Sequence, residues 1–251
     1  MGNEISWRCP PTTWSLGSAD LHVWAAPLNE ARATVVDSGT LLSAEERQRA
    51  ERFHFERHRR RFIIGRGLVR SLLGRYLNTA PAKLIFGYGP QGKPALEDNF
   101  AESGLHFNVT HSEDLALVAV TRLGDVGVDV EKVRWLADFD ELVSRFFSPR
   151  EAAVFRDLSE EEKSGAFFNL WTRKEAWLKA TGEGIAHSLN RVEVSFLPGE
   201  PARLITLPDN LELGGDWSLC ELAPAGGFAA AVAIRSRTFH LDCWRWPAPD
   251  L

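Results

Sequence analysis

The pentapeptide GVDVE at 127–131 sets two carboxylates two residues apart. In an extended strand residues i and i+2 face the same side. Asp129 and Glu131 therefore share one face, about 7 Å apart, while Val128 and Val130 face the other. Carboxylates that close repel unless a cation lies between them. A hard divalent ion such as Mg²⁺, completed by phosphate oxygens, is one answer; a solvated acidic strand face is the other. Forty residues on, WTRKEAWLK at 171–179 places Glu175 and Lys179 at i and i+4, on one helical face. An exposed Glu–Lys pair has the same spacing. Phe167, Phe168, Leu170, Trp171, Trp177 and Leu178, however, crowd almost every direction around this helix. Its charged residues are expected to be partly buried, where charge must be paired or coordinating. Glu175 toward a metal, with Lys174 and Lys179 toward phosphate, would make a polyanion site.

Upstream, HFNVTHS at 106–112 puts Asn108 and Thr110 on one strand face and His111 at the strand end. A hydroxyl, an imidazole and free backbone N–H groups can hold an anion, although a single histidine is more often structural. A Ser112–His111–Asp114 triad is unlikely on geometry: no G-x-S-x-G turn exists, and adjacent strand residues point in opposite directions. GYGPQGKP at 87–94 matches a phosphate loop until Pro94, which stands where a metal-binding Ser or Thr belongs. It is a damaged loop, a plain turn, or a phosphate contact of another kind. Arg57, Arg59, Arg60, Arg61 and Arg66, flanked by His54 and His58, form either a solvated face or a patch for phosphate or an acidic protein.

The elements that must position these groups follow a repeated order. LHVWAA (21–26) reads as a strand, and Ser43 with Glu46 as a capping box opening a helix. The stretch 59–77 has a helical stripe of Phe62, Val69, Leu72, Leu73 and Tyr76, with Gly65 and Gly67 inside it. Glycine costs up to about 1 kcal/mol in a helix interior, so close approach of another segment is expected there. Strands follow at 83–89, 105–112 and 115–121. The second half repeats this: a strand at 126–133, a capping box at Ser148 and Glu151, a helix over 166–181, and strands at RVEVSF, WSLCELA and FAAAVAIRS. The matching order predicts an α+β fold made by pseudo-twofold duplication of two similar α+β halves, residues 1–123 and 124–251. The ligand cleft would lie between them. The first fifteen or so residues, polar and Pro-rich, are expected to be loose.

The chain has 251 residues, 44% of them hydrophobic, and a net charge of −5. That is ample for a sizeable core and offers no broad support for nucleic-acid binding. Three widely spaced cysteines without a C-x-x-C pair suggest a reducing, cytoplasmic setting, and no apolar run approaches a membrane span.

The ordered set of GKP, HFNVTHS, GVDVE and WTRKEAWLK resembles the 4′-phosphopantetheinyl transferases of the long, surfactin-synthetase-activating type. The likeness runs from about Leu41 to about Asn190, with strand order continuing to about Ile234. The resemblance implies a monomer that binds coenzyme A and Mg²⁺, or Mn²⁺, in the cleft. It moves the phosphopantetheine arm to a serine of an apo acyl or peptidyl carrier protein and releases adenosine 3′,5′-bisphosphate. It also implies Asp129, Glu131 and Glu175 as metal ligands, with Glu175 as general base and Lys179 on the phosphates. Lys93 and Pro94 would meet the adenine and 3′-phosphate end. Asn108, Thr110 and His111 would meet phosphate oxygens, and Arg57, with Arg61 as companion, would lie near the 3′-phosphate. Phe62 departs from relatives with a small hydroxyl residue there, and Val130, between the two acids, offers only its backbone. Two other readings stay open: a metal-dependent phosphoesterase using the same acids, and a non-catalytic module binding an acidic protein through the arginines.

Overall fold

The computed structural model describes residues 5–29, 37–182, 189–208 and 217–246. In chain order its strands and helices are β1 (Trp7–Arg8), β2 (Asp20–Pro27), α1 (Ala44–Glu51), α2 (Glu56–Tyr76), β3 (Phe86–Tyr88), β4 (Pro94–Leu96), β5 (His106–Ser112), β6 (Leu115–Thr121) and β7 (Val126–Lys132). Then come α3 (Phe139–Phe146), α4 (Pro149–Arg156), α5 (Glu160–Thr181), β8 (Glu193–Val194), β9 (Leu204–Thr206), β10 (Ser218–Leu222), β11 (Phe228–Ile234) and β12 (His240–Arg245).

The duplication shows in the pairing. One sheet has the order β1–β12–β2–β6–β5 and the other β10–β11–β7. In each half the leading strand, β2 or β7, pairs antiparallel with the second strand of a later hairpin, β5–β6 or β10–β11. A buried ion pair is repeated as well. Both expected capping boxes form, at Ser43–Glu46 and at Ser148–Glu151. In each, the glutamate that caps its helix also receives a cation from the following long helix. Arg70 Nε lies 2.7 Å from Glu46 Oε2, and Arg70 Nη1 reaches the Pro81 and Leu84 carbonyls. Lys174 Nζ lies 2.5 Å from Glu151 Oε2 and 2.7 Å from the Leu189 carbonyl. A buried charge is tolerated only with such partners.

Three cores follow from strand alternation. Val23, Leu117 and Ala119 of the first sheet meet Val128, Val130, Val232 and Ile234 of the second. The other face of the first sheet, with Trp24, Val118 and Val120, packs on Leu68 and Leu72 of α2. The other face of the second offers Ala229, Ala231 and Ala233 to Leu170, Ala176 and Trp177 of α5. Those small side chains let α5 lie close to the sheet. Gly127 makes the approach closest: a Cβ there would stand 2.1 Å from the Ala176 carbonyl oxygen and 2.3 Å from the Ala180 nitrogen. In α2, Gly67 plays the expected close-approach role against Ser38, while Gly65 meets only Leu28 Cδ2 at 3.7 Å.

Several expectations need correction. The start is not loose throughout: Trp7–Arg8 pairs parallel with β12, and Trp14 and Leu16 pack against the first-half core. A break at 123/124 would leave β12 with the second half, yet β12 lies between β1 and β2 in the first sheet. The 83–89 and RVEVSF strands shrink to Phe86–Tyr88 and Glu193–Val194. Helix α5 begins at Glu160, because Ser159 and Glu162 form a third capping box.

Candidate active site

The edge strands β5 and β7 lie side by side where the two halves meet, joined by side chains. Asn108, Thr110 and Ser112 alternate along β5 and so face one way. Asn108 Oδ1 accepts from Val128 N at 2.9 Å. Thr110 Oγ1 donates to Asp129 Oδ1 at 3.0 Å. Ser112 Oγ donates to Glu131 Oε2 at 2.7 Å and accepts from Lys132 N at 3.1 Å. This polar seam orients both acids of GVDVE.

Helix α5 supplies the rest. With its backbone against Gly127, residues one turn apart reach the acidic face of β7. Lys179 Nζ donates to Asp129 Oδ1 at 2.6 Å and to Thr110 Oγ1 at 3.1 Å. The i,i+4 spacing therefore does not make a Glu175–Lys179 pair; it aims both side chains at the neighbouring strand. Glu175 and Asp129 are buried, 3% and 4% exposed. Burial, with the charges of Asp129 and Glu131 added, pushes the Glu175 carboxyl up to about 7 despite Lys179. Glu131 is raised too, mainly by burial and then by Asp129, against the Ser112 hydrogen bond.

Two buried oxygens, Asp129 Oδ2 and Glu175 Oε1, have no hydrogen-bond partner. Orphaned carboxylate oxygens are costly unless a proton or a cation meets them. The donor set thus suits a divalent cation in its chemistry. Among the described residues, no three His, Cys, Asp or Glu side chains already surround a common point. Lys179 holds Asp129, and Ser112 holds one oxygen of Glu131.

A cavity of about 410 Å³ opens onto this cluster, walled by Glu175, Leu178 and Lys179 of α5, Asn108 and Val109 of β5, and the Gln91–Pro94 turn. A second, of about 340 Å³, lies across the same turn and shares Gln91, Lys93, Pro94 and Gly182 with the first. Lys93 stands at this divide, its Nζ donating to the Val126 carbonyl at 3.1 Å and the Ala180 carbonyl at 3.2 Å.

The comparisons with known proteins decide the family. A family model described as the 4′-phosphopantetheinyl transferase superfamily matches residues 125–233. Another, described as 4′-phosphopantetheinyl transferase, N-terminal, matches residues 28–122. The 4′-phosphopantetheinyl transferase HetI of Nostoc sp. is 44% identical over 243 residues, 97% of this chain and 99% of the relative. This chain belongs to the 4′-phosphopantetheinyl transferase superfamily. It is an enzyme that transfers the phosphopantetheine arm of coenzyme A to carrier proteins. Other similar transferases are a putative one from Synechocystis sp., 39% identical over 75% of this chain and 74% of the relative, and Sfp of Bacillus subtilis strain 168, 29% identical over 68% and 73%.

Within the transferase, the structure brings Thr110, Asp129, Glu175 and Lys179 together, with Glu131 beside them and Asn108, Lys93 and Pro94 at the cavity. His111 is exposed at the strand end, yet enough protein surrounds it that desolvation lowers its pKa, helped by Lys179, Arg61 and His58. Arg57 is apart from the carboxylates: it is exposed, its Nε donating 3.3 Å to His58 Nε2 and its guanidinium over the Phe55 ring. Arg61 is held by Asp114 at 2.8 Å and Glu113 at 3.1 Å. Lys174, expected on phosphate, is instead fully buried on Glu151, because it points to the other side of α5. Two residues that shape this cluster escaped the motif reading. Gly127 governs the helix approach, and Ser112 completes the alternation that Asn108 and Thr110 begin.

Proposed function

We propose that the transfer is Mg²⁺-dependent, with Mn²⁺ as a substitute, and that Asp129, Glu131 and Glu175 hold the ion. The observation that carries this reading is the pair of partnerless buried oxygens on Asp129 and Glu175 beside the Lys179 ammonium. When bound, the ion offsets the charge of the coenzyme A pyrophosphate and orients it. Lys179 leaves Asp129 for a pyrophosphate oxygen; its side chain is 29% exposed and faces the cavity. Lys93 uses two of three N–H donors on carbonyls and keeps one for an anion, the 3′-phosphate end by the family resemblance. Thr110, Asn108 and His111 line the path of the phosphate oxygens. Arg57 is assigned to the 3′-phosphate on the family resemblance.

Glu175, on the cavity wall, is placed to take the proton of the carrier serine, directly or through a water. The serine oxygen bonds to the phosphorus nearest the pantetheine. The bond from that phosphorus to the bridging oxygen breaks, and adenosine 3′,5′-bisphosphate leaves. Lys179 and His111 stabilise the charge that grows on it. The acceptor is an apo acyl or peptidyl carrier protein, and the working unit is a monomer, as the family resemblance implies. The three cysteines, free in the structure, suit work in the reducing cytoplasm.

The test is to weigh an apo carrier after incubation with coenzyme A, Mg²⁺ and enzyme. Asp129→Ala and Glu175→Ala are expected to lose roughly 10²–10³-fold in rate with the fold intact. Turnover in either variant within a few-fold of wild type overturns the ligand assignment.

A further inference from the structure

We infer that Ser112 is a positioning residue of the transfer site: it fixes the rotamer of Glu131 for the metal. The inference rests on the proposal that Glu131 is a metal ligand, and it concerns a residue with no part in that ligand set.

A serine hydroxyl has one proton to give and lone pairs to receive. Here the Lys132 N–H, 3.1 Å away, occupies a lone pair, which turns the single proton toward Glu131 Oε2 at 2.7 Å. The hydroxyl therefore reads strand and carboxylate together, locking the Glu131 side chain to the backbone of the next residue. Ser112 is itself rigid, being buried and in register opposite Leu115 at the end of the β5–β6 hairpin. No other hydrogen bond to the Glu131 carboxylate is seen among the described residues. One oxygen is tied and Oε1 is left for another partner. Asp129 is aimed in the same way by Thr110, one step along the same strand face. Both acids of GVDVE thus take their orientation from hydroxyls of β5, across the boundary between the two halves. Partners of this outer kind hold ligands in place and typically change metal affinity or activity by 10–100-fold.

The experiment measures Mg²⁺ affinity by calorimetry on the full-length protein saturated with coenzyme A, beside the KM for carrier and the thermal midpoint. Ser112→Ala is expected to weaken Mg²⁺ about tenfold while carrier KM and midpoint stay near wild type. Ser112→Thr keeps the hydroxyl and is expected to restore the affinity; it also serves if the alanine variant does not fold. In a Glu131→Gln background, Ser112→Ala should change Mg²⁺ affinity no further. Three outcomes overturn the inference. The first is that Ser112→Ala, or any folded variant without the hydroxyl, leaves Mg²⁺ binding unweakened while Glu131→Gln weakens it. The second is that the Ser112→Ala loss persists undiminished in the Glu131→Gln background, which marks a general structural effect. If Glu131→Gln itself leaves Mg²⁺ affinity unchanged, the ligand role of Glu131 falls first and the inference falls with it.

Discussion

At the scale of single residues, Glu175 ties stability to pH. Its carboxyl is raised from an ordinary 4.5 to about 7, chiefly by burial. The folded, metal-free protein therefore binds that proton more tightly than the unfolded chain. This contribution to stability is complete below pH 4.5, declines as the pH rises, and is gone above about 7. At about 1.4 kcal/mol per pK unit the loss across that window is on the order of 3 kcal/mol. Chemical denaturation of metal-free protein at pH 5 and pH 8 should show it, and Glu175→Gln should remove most of it. A slope of the same sign should persist from Glu131, also raised by burial. A Gln variant with the full wild-type slope would show that the proton sits elsewhere. Two lysines five residues apart make a second contrast. Lys174 is sealed against Glu151, and losing one partner of a buried pair costs about 3–5 kcal/mol. Lys174→Ala should melt far lower, whereas Lys179→Ala, whose ammonium is partly exposed, should lose less in melting and lose coenzyme A affinity. Equal effects on affinity and melting from both would remove the distinction.

At the scale of elements, the site depends on how closely α5 can lie on β7. Gly127 is the contact point, and the alanines of β11 clear the rest of the helix path. Gly127→Ala has nowhere to place a methyl group except by moving the helix backbone. A loss of about 3 kcal/mol is expected, with a fall in transfer rate as Glu175 and Lys179 shift from Asp129. Gly165→Ala, in the same helix with nothing within 4 Å of its Cβ, should instead stabilise by up to about 1 kcal/mol. Thermal melts of the two variants check the pair; equal melting would place the close approach elsewhere. These elements also show how much the sequence makes visible. The alternation of GVDVE and HFNVTHS put Asp129, Glu131, Asn108 and Thr110 on their observed faces, and the capping boxes marked two helix starts. Local pattern could not say which side of α5 Lys174 takes, because apolar residues surround that helix nearly all round. Nor could it reveal that β5 and β7 meet through side chains, since nothing in either strand alone records its neighbour. Strand β12 was missed because HLDCWR carries no clean alternation and gains its order from the two strands that flank it.

At the scale of the molecule, β12 argues that the two halves are one cooperative unit. It follows the whole second half in the chain, yet it forms parallel ladders with β1 and β2 of the first. Cys243 on it belongs to the core between the sheets, and Trp244 to the core beneath α2. Trp244 and Trp246 both pack on the fully buried Trp24. A chain ending at Thr238 keeps every residue proposed for catalysis and metal binding. It loses two strand ladders and the burial of several apolar side chains, each worth about 1.5–3 kcal/mol. That sum is comparable with the 5–15 kcal/mol that holds an ordinary domain together. The truncated chain is therefore expected to lack a cooperative thermal transition and to bind coenzyme A no better than denatured protein. In the intact protein, unfolding followed by tryptophan fluorescence and by far-ultraviolet circular dichroism should coincide, since the core between the sheets belongs to both halves. A truncated chain that melts cooperatively and retains coenzyme A affinity would show instead that the site forms without β12.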